Sequence, residues 1–91
     1  MKKPYKELCE LIASVKDQEE AHLLLQDLFT PQERDVLAER WQIIQELAKG
    51  TPQRQIAEKL STSISTVTRG SIAFQYGSTG FHHFLKKLKK L

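Results

Sequence analysis

Apolar residues recur at helical spacing along almost the whole chain, and no stretch alternates in the manner of a β-strand. An apolar stripe that begins at Tyr5 predicts a first helix over Pro4–Val15. Asp17 fits the N-cap of a second helix that ends at Leu28. The pattern therefore predicts an all-α chain.

The strongest helix start in the chain lies at Thr30. Thr30 fits an N-cap, Pro31 fits the first helical position, and Glu33 fits the third position of a capping box. The apolar spacing then predicts a long helix to Lys49, with Gly50 at the C′ position just beyond its end.

Two shorter helices are predicted next. Thr51 and Pro52 repeat the N-cap and first-position signal and predict a helix that ends at Leu60. A polar turn follows, and Ser63 fits the N-cap of a helix that runs from Ile64 to about Gln75. The segment 77–80 then breaks the pattern, and a last helix is expected over Phe81–Lys90.

The two short helices have the spacing of a helix-turn-helix. Ala57 is small, as a close crossing of the second helix requires, and Ser61 stands in the turn where Gly is usual. The predicted buried contacts between the two helices are Ile56, Leu60, Ile64 and Val67. The alternative is a helical hairpin that serves packing alone.

The polar side chains of this motif are suited to duplex DNA. Short hydroxyls on the second helix can reach phosphates or base edges directly or through water, and residues at the start of the first helix can meet phosphate. The candidate DNA-binding residues are Gln53, Arg54, Ser63, Ser65, Thr66 and Thr68.

Charge and composition support a polyanion partner for the second half of the chain. The chain has 91 residues and a net charge of +3. Residues 1–50 carry seven basic and ten acidic side chains, whereas residues 51–91 carry seven basic and one acidic. This asymmetry favours nucleic acid as a partner of one face. A chain this small with so many apolar faces also favours a dimer, with a compact monomer as the alternative.

The composition and the residue spacing disfavour several other classes of protein. A single cysteine, Cys9, excludes an internal disulfide and fits a reducing cytoplasm. No apolar leader or membrane-spanning run is visible. The histidines do not have metal-ligand spacing, and no acid, base and nucleophile stand together, so we expect no catalytic residue, metal or cofactor.

These residues together resemble the bacterial tryptophan repressor family, over roughly residues 23–76. The resemblance is carried by Thr30-Pro31-x-Glu33-Arg34, Arg40, Gln53-Arg54 and Ile64-x-Thr66-x-Thr68-Arg69-Gly70-Ser71. The segment around Gly50 is one residue shorter than is usual in the family. The stretch that begins at Val15 also looks like a related group of repressor-like proteins, so a sister branch is an alternative.

The resemblance implies an intertwined helical homodimer with helix-turn-helix heads. Residues 1–91 would form one domain, with a dimerisation core over 1–50, a head over 51–76 and a C-terminal helix over 77–91. The dimer would bind a palindromic operator in double-stranded DNA as a repressor, with L-tryptophan as its corepressor.

The resemblance also implies a ligand site. Arg40 and Arg69 would enclose the indole ring, and Arg69 and Thr30 would hold the ligand carboxylate. Gly70 would allow close approach of the ring, and backbone carbonyls near Asp27 and Phe29 would accept from the ligand ammonium.

Ala73 departs from the family, in which a Ser at this position helps to bind the ammonium group. Losing one hydrogen bond to a charged group costs about 1.5–3 kcal/mol. On the sequence alone, we expect indole carboxylates without an amine to bind as well as tryptophan or better.

Three alternatives to a tryptophan-responsive repressor stay open. The chain could be a helix-turn-helix regulator with another effector or with none. It could be a helical protein-interaction domain, which salt-dependent DNA affinity would exclude. An enzyme is the least favoured, since the chain lacks a catalytic constellation.

Overall fold

The computed structural model describes residues 1–77 and 79–90, and every regular element in these residues is an α-helix. Ser78, part of the predicted break, and Leu91 lie outside the described residues. The helices are α1 (Lys3–Ala13), α2 (Gln18–Leu28), α3 (Pro31–Ala48), α4 (Gln53–Lys59), α5 (Ile64–Tyr76) and α6 (Thr79–Lys87). The predicted all-α class is confirmed.

The chain divides into two compact units, Met1–Arg34 and Asp35–Leu91. In the first unit, the Asp17 carboxylate accepts from the Glu20 N–H at 2.9 Å and caps α2 as predicted. The helices α1 and α2 bury none of their residues, and large apolar side chains such as Tyr5, Ile12 and Leu23 are more than half exposed. This unit therefore presents apolar faces that a single chain leaves uncovered.

The start of α3 has the predicted capping box. The Thr30 hydroxyl accepts from the Glu33 N–H at 3.2 Å, and the Glu33 carboxylate accepts from the Thr30 N–H at 2.9 Å. The bond from the Thr30 N–H lowers the pKa of Glu33 below its usual value. Two backbone groups at the helix start are thus satisfied reciprocally.

The second unit has a small core where α3 meets the two short helices. Ile43, Ile56 and Val67 are buried together, and Leu47, Ala57 and Leu60 pack against them. Ile43 had no place in the predicted contacts. Ile64, which was predicted to be buried, is 49% exposed because it is the first residue of α5 and lies at the margin of the packed face.

The predicted cap of α4 is wrong. The structure places Pro52 at the N-cap, with no side-chain cap bond, and α4 begins at Gln53. The Thr51 hydroxyl instead donates to Glu46 Oε1 at 3.1 Å. Thr51 therefore lies one residue before the cap, and its hydroxyl is held by a charge-assisted bond to a buried carboxylate.

The turns on either side of α4 use the left-handed region. Gly50, after α3, has φ +85°, as its predicted C′ position requires. Ser61, in the turn between α4 and α5, has φ +52°, a conformation that favours glycine. Ser63 then caps α5 as predicted, accepting from the Thr66 N–H at 3.1 Å.

The C-terminal helix begins two residues earlier and ends three residues earlier than predicted, and it buries Leu85. No helix in residues 1–77 and 79–90 is long and apolar enough to cross a membrane.

Candidate functional site

A cavity of about 660 Å³ lies against α3 and α5 in the second unit. Its lining includes Arg40 from α3 and Arg69, Gly70 and Ala73 from α5, together with apolar side chains of α3 and Phe81 of α6. The volume is within the range of small-molecule sites, about 300–1,000 Å³. The structure thus brings together four of the seven residues that were predicted to bind the ligand.

The two arginines give this pocket a positive wall. Both side chains are exposed, and the ion pairs found in the described part of the chain join lysines to Glu20 and Glu46 and involve neither arginine. A guanidinium can hold a carboxylate through two parallel N–H bonds and can stack on an aromatic ring. The pair therefore suits a planar aromatic acid.

Gly70 has a structural role at the wall of the pocket. A Cβ built on Gly70 would lie 2.9 Å from Ile43 Cγ2, which is closer than real Cβ atoms approach. Glycine is therefore needed where α5 crosses α3, whether or not a ligand also approaches this backbone.

The remaining polar lining was not anticipated. Glu39, on α3, also lines the cavity, and so does Thr66, which the sequence had suggested only for DNA. The hydroxyls of Thr66 and Ser63 hydrogen-bond at 2.7 Å. Ala73 contributes a methyl group and no polar side-chain atom. Glu39 could have been suspected because it precedes Arg40, but no local motif marks it.

The other three predicted ligand residues, Thr30, Asp27 and Phe29, belong to the first unit. Accepting the cap bond leaves the Thr30 hydroxyl able to donate to a carboxylate. The Phe29 carbonyl accepts from Arg34 Nη1 at 3.2 Å, and a carbonyl has a second lone pair. The ligand roles of these three residues stay predictions.

The helix-turn-helix is formed by α4, the turn 60–63 and α5. Ile56 of α4 and Val67 of α5 are fully buried against Ile43, so the motif is anchored on the long helix. The exposed start of α5 carries hydroxyls that bond to one another, with Ser63 Oγ lying 3.1 Å from Ser65 Oγ. The hydroxyls of Ser63, Ser65 and Thr66 thus form one hydrogen-bonded cluster at the start of α5.

Two of the predicted DNA-binding residues are joined across the motif. Thr68 Oγ1 lies 2.9 Å from Gln53 Oε1 and 2.9 Å from the Ile64 carbonyl, and its single hydroxyl hydrogen is shared between these two acceptors. With its amide oxygen occupied, Gln53 has its NH₂ group available for outward donation. Arg54, the next residue on α4, is exposed. The side chains of Gln53 and Arg54 can therefore both donate hydrogen bonds to an acceptor such as phosphate.

A buried carboxylate that the sequence did not reveal holds the start of the motif. Glu46, 4% exposed, accepts from Lys59 at 3.1 Å, from Lys49 at 3.2 Å and from the Thr51 hydroxyl at 3.1 Å. Hydrogen bonds from Lys59, then Lys49, lower the pKa of Glu46 below its usual value. Since Lys59 lies on α4, this network ties the end of α3 to the helix-turn-helix.

The amino-acid sequence of this chain is similar to those of one known family of proteins. The sequence model of the family described as "Trp repressor protein" matches residues 3–89. A Trp operon repressor homolog of Vibrio campbellii is 44% identical over 70 residues, which cover 76% of this chain and 70% of that protein.

Two further relatives carry the same name. The one from Mannheimia succiniciproducens is 45% identical over 65 residues, 70% of this chain and 64% of its own length. The one from Actinobacillus succinogenes is 51% identical over 57 residues, 62% of this chain and 52% of its own length. No solved structure gives a significant match.

Proposed function

The chain belongs to the Trp repressor family, and on that premise we propose that it is a cytoplasmic transcriptional repressor. It binds a palindromic operator in duplex DNA as a homodimer, with L-tryptophan or a related indole carboxylate as corepressor. The observation that carries the proposal is that α5 serves two surfaces. Its exposed start bears Ser63, Ser65 and Thr68, while Arg69, Gly70 and Ala73 further along line the pocket.

A ligand on this pocket contacts the helix that would read DNA. Arg69 follows Thr68 directly, so the residues for the two partners are neighbours on one rigid element. A ligand that stacks between α3 and α5 favours one orientation of α5 over others. Such a ligand acts by shifting the population of head orientations towards the one that fits the operator.

The dimer is supported by the apolar surface of the single chain. The helices α1 and α2 bury no residue, and large apolar side chains on both remain exposed. Soluble chains rarely leave such faces uncovered, and a second copy is the simplest cover. A two-fold dimer presents two helix-turn-helix heads to two half-sites one helical turn apart.

Selection of duplex DNA from a randomised pool, with and without L-tryptophan, tests the proposal. We expect a palindromic sequence to be enriched only when tryptophan is present, and its affinity to fall steeply with salt. Enrichment of the same sequence without tryptophan would leave a helix-turn-helix regulator with another effector or none. Lack of any salt-dependent DNA binding would contradict the repressor itself.

Two variants separate the two surfaces. Arg69→Ala should remove the response to ligand while the fold survives, because the variant lacks the guanidinium that would bind the carboxylate of the ligand. Arg54→Ala should weaken DNA binding without changing ligand affinity, because Arg54 does not line the pocket. A folded Arg69→Ala protein that still responds to ligand would contradict the pocket assignment, and loss of ligand binding in Arg54→Ala would contradict the separation.

A further inference from the structure

Glu39 is the only carboxylate among the described residues that line the cavity beside α3 and α5. It precedes Arg40 on α3 and is half-buried. Its Oε1 accepts from the Thr62 hydroxyl at 2.9 Å, and Thr62 lies in the turn before α5. A carboxylate has about four acceptor positions on its two oxygens, so this one bond leaves most of its acceptor capacity for a ligand.

The charges of the pocket match a zwitterion better than a simple anion. Arg40 and Arg69 are two cationic residues of the lining, and Glu39 is an anionic residue of the same lining. An anion without a cationic group gains from the arginines and is repelled by Glu39. A ligand that carries both groups can pair its carboxylate with the arginines and its ammonium with Glu39.

The other polar lining does not offer an equal acceptor. Thr66 shares its hydroxyl with Ser63 at 2.7 Å, and Ala73 has no polar side-chain atom. A charge-assisted bond to a carboxylate is about twice as strong as a neutral one. Glu39 is therefore the acceptor in this lining best suited to an ammonium group.

We propose that Glu39 accepts the ammonium group of the ligand and makes the pocket selective for aromatic α-amino acids over amine-free indole acids. The proposal rests on the corepressor function proposed above and names the specificity residue of that site. It reverses the expectation drawn from Ala73 alone, because α3 supplies the side-chain acceptor that α5 lacks. The carbonyls near Asp27 and Phe29, predicted acceptors for the same ammonium, belong to the first unit and are not part of this lining.

Calorimetric titration of the wild type and of Glu39→Gln with L-tryptophan and with indole-3-propionate tests it. Gln keeps the size of the side chain and an oxygen for Thr62, but it loses the charge. We expect the wild type to prefer L-tryptophan and Glu39→Gln to bind it about tenfold or more weakly. Affinity for indole-3-propionate should stay equal or rise in this variant, since a like charge is removed.

Two control variants isolate the ammonium contact from other effects. Glu58→Gln removes the same charge from an exposed position of α4 outside the pocket, and it should leave both affinities unchanged. Thr62→Val removes the bond from the turn but leaves the Glu39 carboxylate, so it should keep the preference for L-tryptophan.

The outcomes are distinct. Equal loss of both ligands in Glu39→Gln, a wild type without preference for the amine, or loss of the preference in Thr62→Val would each overturn the role of Glu39 while the corepressor proposal stands. If the wild type binds neither ligand, the proposed corepressor and this inference fall together.

Discussion

At the scale of single residues, Gly70 shows how closely the pocket and the packing of the second unit are connected. It lines the cavity, and a Cβ at this position would lie 2.9 Å from Ile43 Cγ2. Ile43 belongs to the buried cluster with Ile56 and Val67. A change at the wall of the pocket therefore reaches the anchor of the helix-turn-helix directly.

We predict that Gly70→Ala is destabilising, and Gly80→Ala provides the matched control. Both replace a helical glycine and gain helix propensity, but a Cβ at Gly80 would meet no atom within 4 Å. Overpacking a core costs about 1–3 kcal/mol, so Gly70→Ala should be less stable than Gly80→Ala by about that amount. Urea unfolding of both variants measures the difference in the free energy of unfolding. Equal stabilities would contradict the prediction and would show that the Ile43 side chain can move away from the new methyl group without loss of stability.

The residues that the sequence identified correctly act through their neighbours in the chain. Asp17, Thr30 and Ser63 each cap a helix by bonding to a backbone N–H three residues on, so local sequence suffices to find them. Thr51 had an equally good local signal, yet its hydroxyl bonds to Glu46. The helix begins one residue later than this signal predicts, with Pro52 at the N-cap, and the position of the Glu46 carboxylate is not encoded in local spacing.

At the scale of elements, the turn between α4 and α5 carries local strain. Ser61 adopts φ +52° at the position where glycine is usual in such motifs. Left-handed backbone costs about 1–2 kcal/mol for a residue with a Cβ, which exceeds the entropy cost of glycine. The turn is thus held in place by the packing on either side of it.

Replacing Ser61 with Gly should therefore stabilise the protein by about 0.5–1 kcal/mol. Ser65→Gly, in the first turn of α5, should instead destabilise it by up to a similar amount, because glycine loses more conformational freedom on forming a helix and no left-handed backbone is relieved there. Thermal unfolding followed by circular dichroism compares the two. A Ser61→Gly protein less stable than the wild type would contradict the strain assigned to this turn.

The junction of α3 and α4 depends on the charge of Glu46. The folded pKa of this carboxyl is held below its ordinary value of 4.5, mainly by the bond from Lys59. A group with a depressed folded pKa contributes stability above its unfolded pKa, and this contribution is lost as the pH falls through the folded value. The network should therefore support the fold at neutral pH and weaken below about pH 4.5.

Glu46→Gln tests this dependence. The variant should be less stable than the wild type at pH 7, and the difference should narrow as the pH falls below 4.5, because protonated Glu46 also lacks the charge. Glu58→Gln, exposed on the neighbouring helix, should show no such pattern. A stability difference that does not change between pH 7 and acid would contradict the assignment.

The partners of Glu46 explain why the sequence did not reveal it. Lys59 is thirteen positions further along the chain and lies on another helix. The same holds for Glu39 and Thr62, which are separated by twenty-three positions. Helical periodicity predicts which elements form, but it does not predict which side chains meet when α4 and α5 pack on α3.

At the scale of the whole molecule, the two halves of the chain have different surfaces. Residues 1–50 are acidic overall and leave apolar helix faces exposed in α1 and α2. Residues 51–91 are basic and contain the helix-turn-helix. The sequence alone shows the charge asymmetry and the amphipathic helices, because charge and amphipathic pattern need no tertiary information. The assignment of one half to dimerisation and the other to DNA, which the resemblance implies, stays a prediction.

Charge and amphipathic pattern did not predict all the residues that line the pocket. The resemblance supplied Arg40, Arg69 and Gly70, and the structure places them around one cavity with Glu39 and Thr66. We propose that this cavity binds tryptophan and that the bound ligand thereby sets the orientation of α5.

Calorimetric titration of the purified protein with L-tryptophan tests for this binding. It is done at two temperatures, so that a binding enthalpy near zero at one of them does not hide binding. We expect saturable binding at one site per subunit, and we expect Arg69→Ala to abolish it. No heat at either temperature, or binding that survives in a folded Arg69→Ala protein, would contradict it.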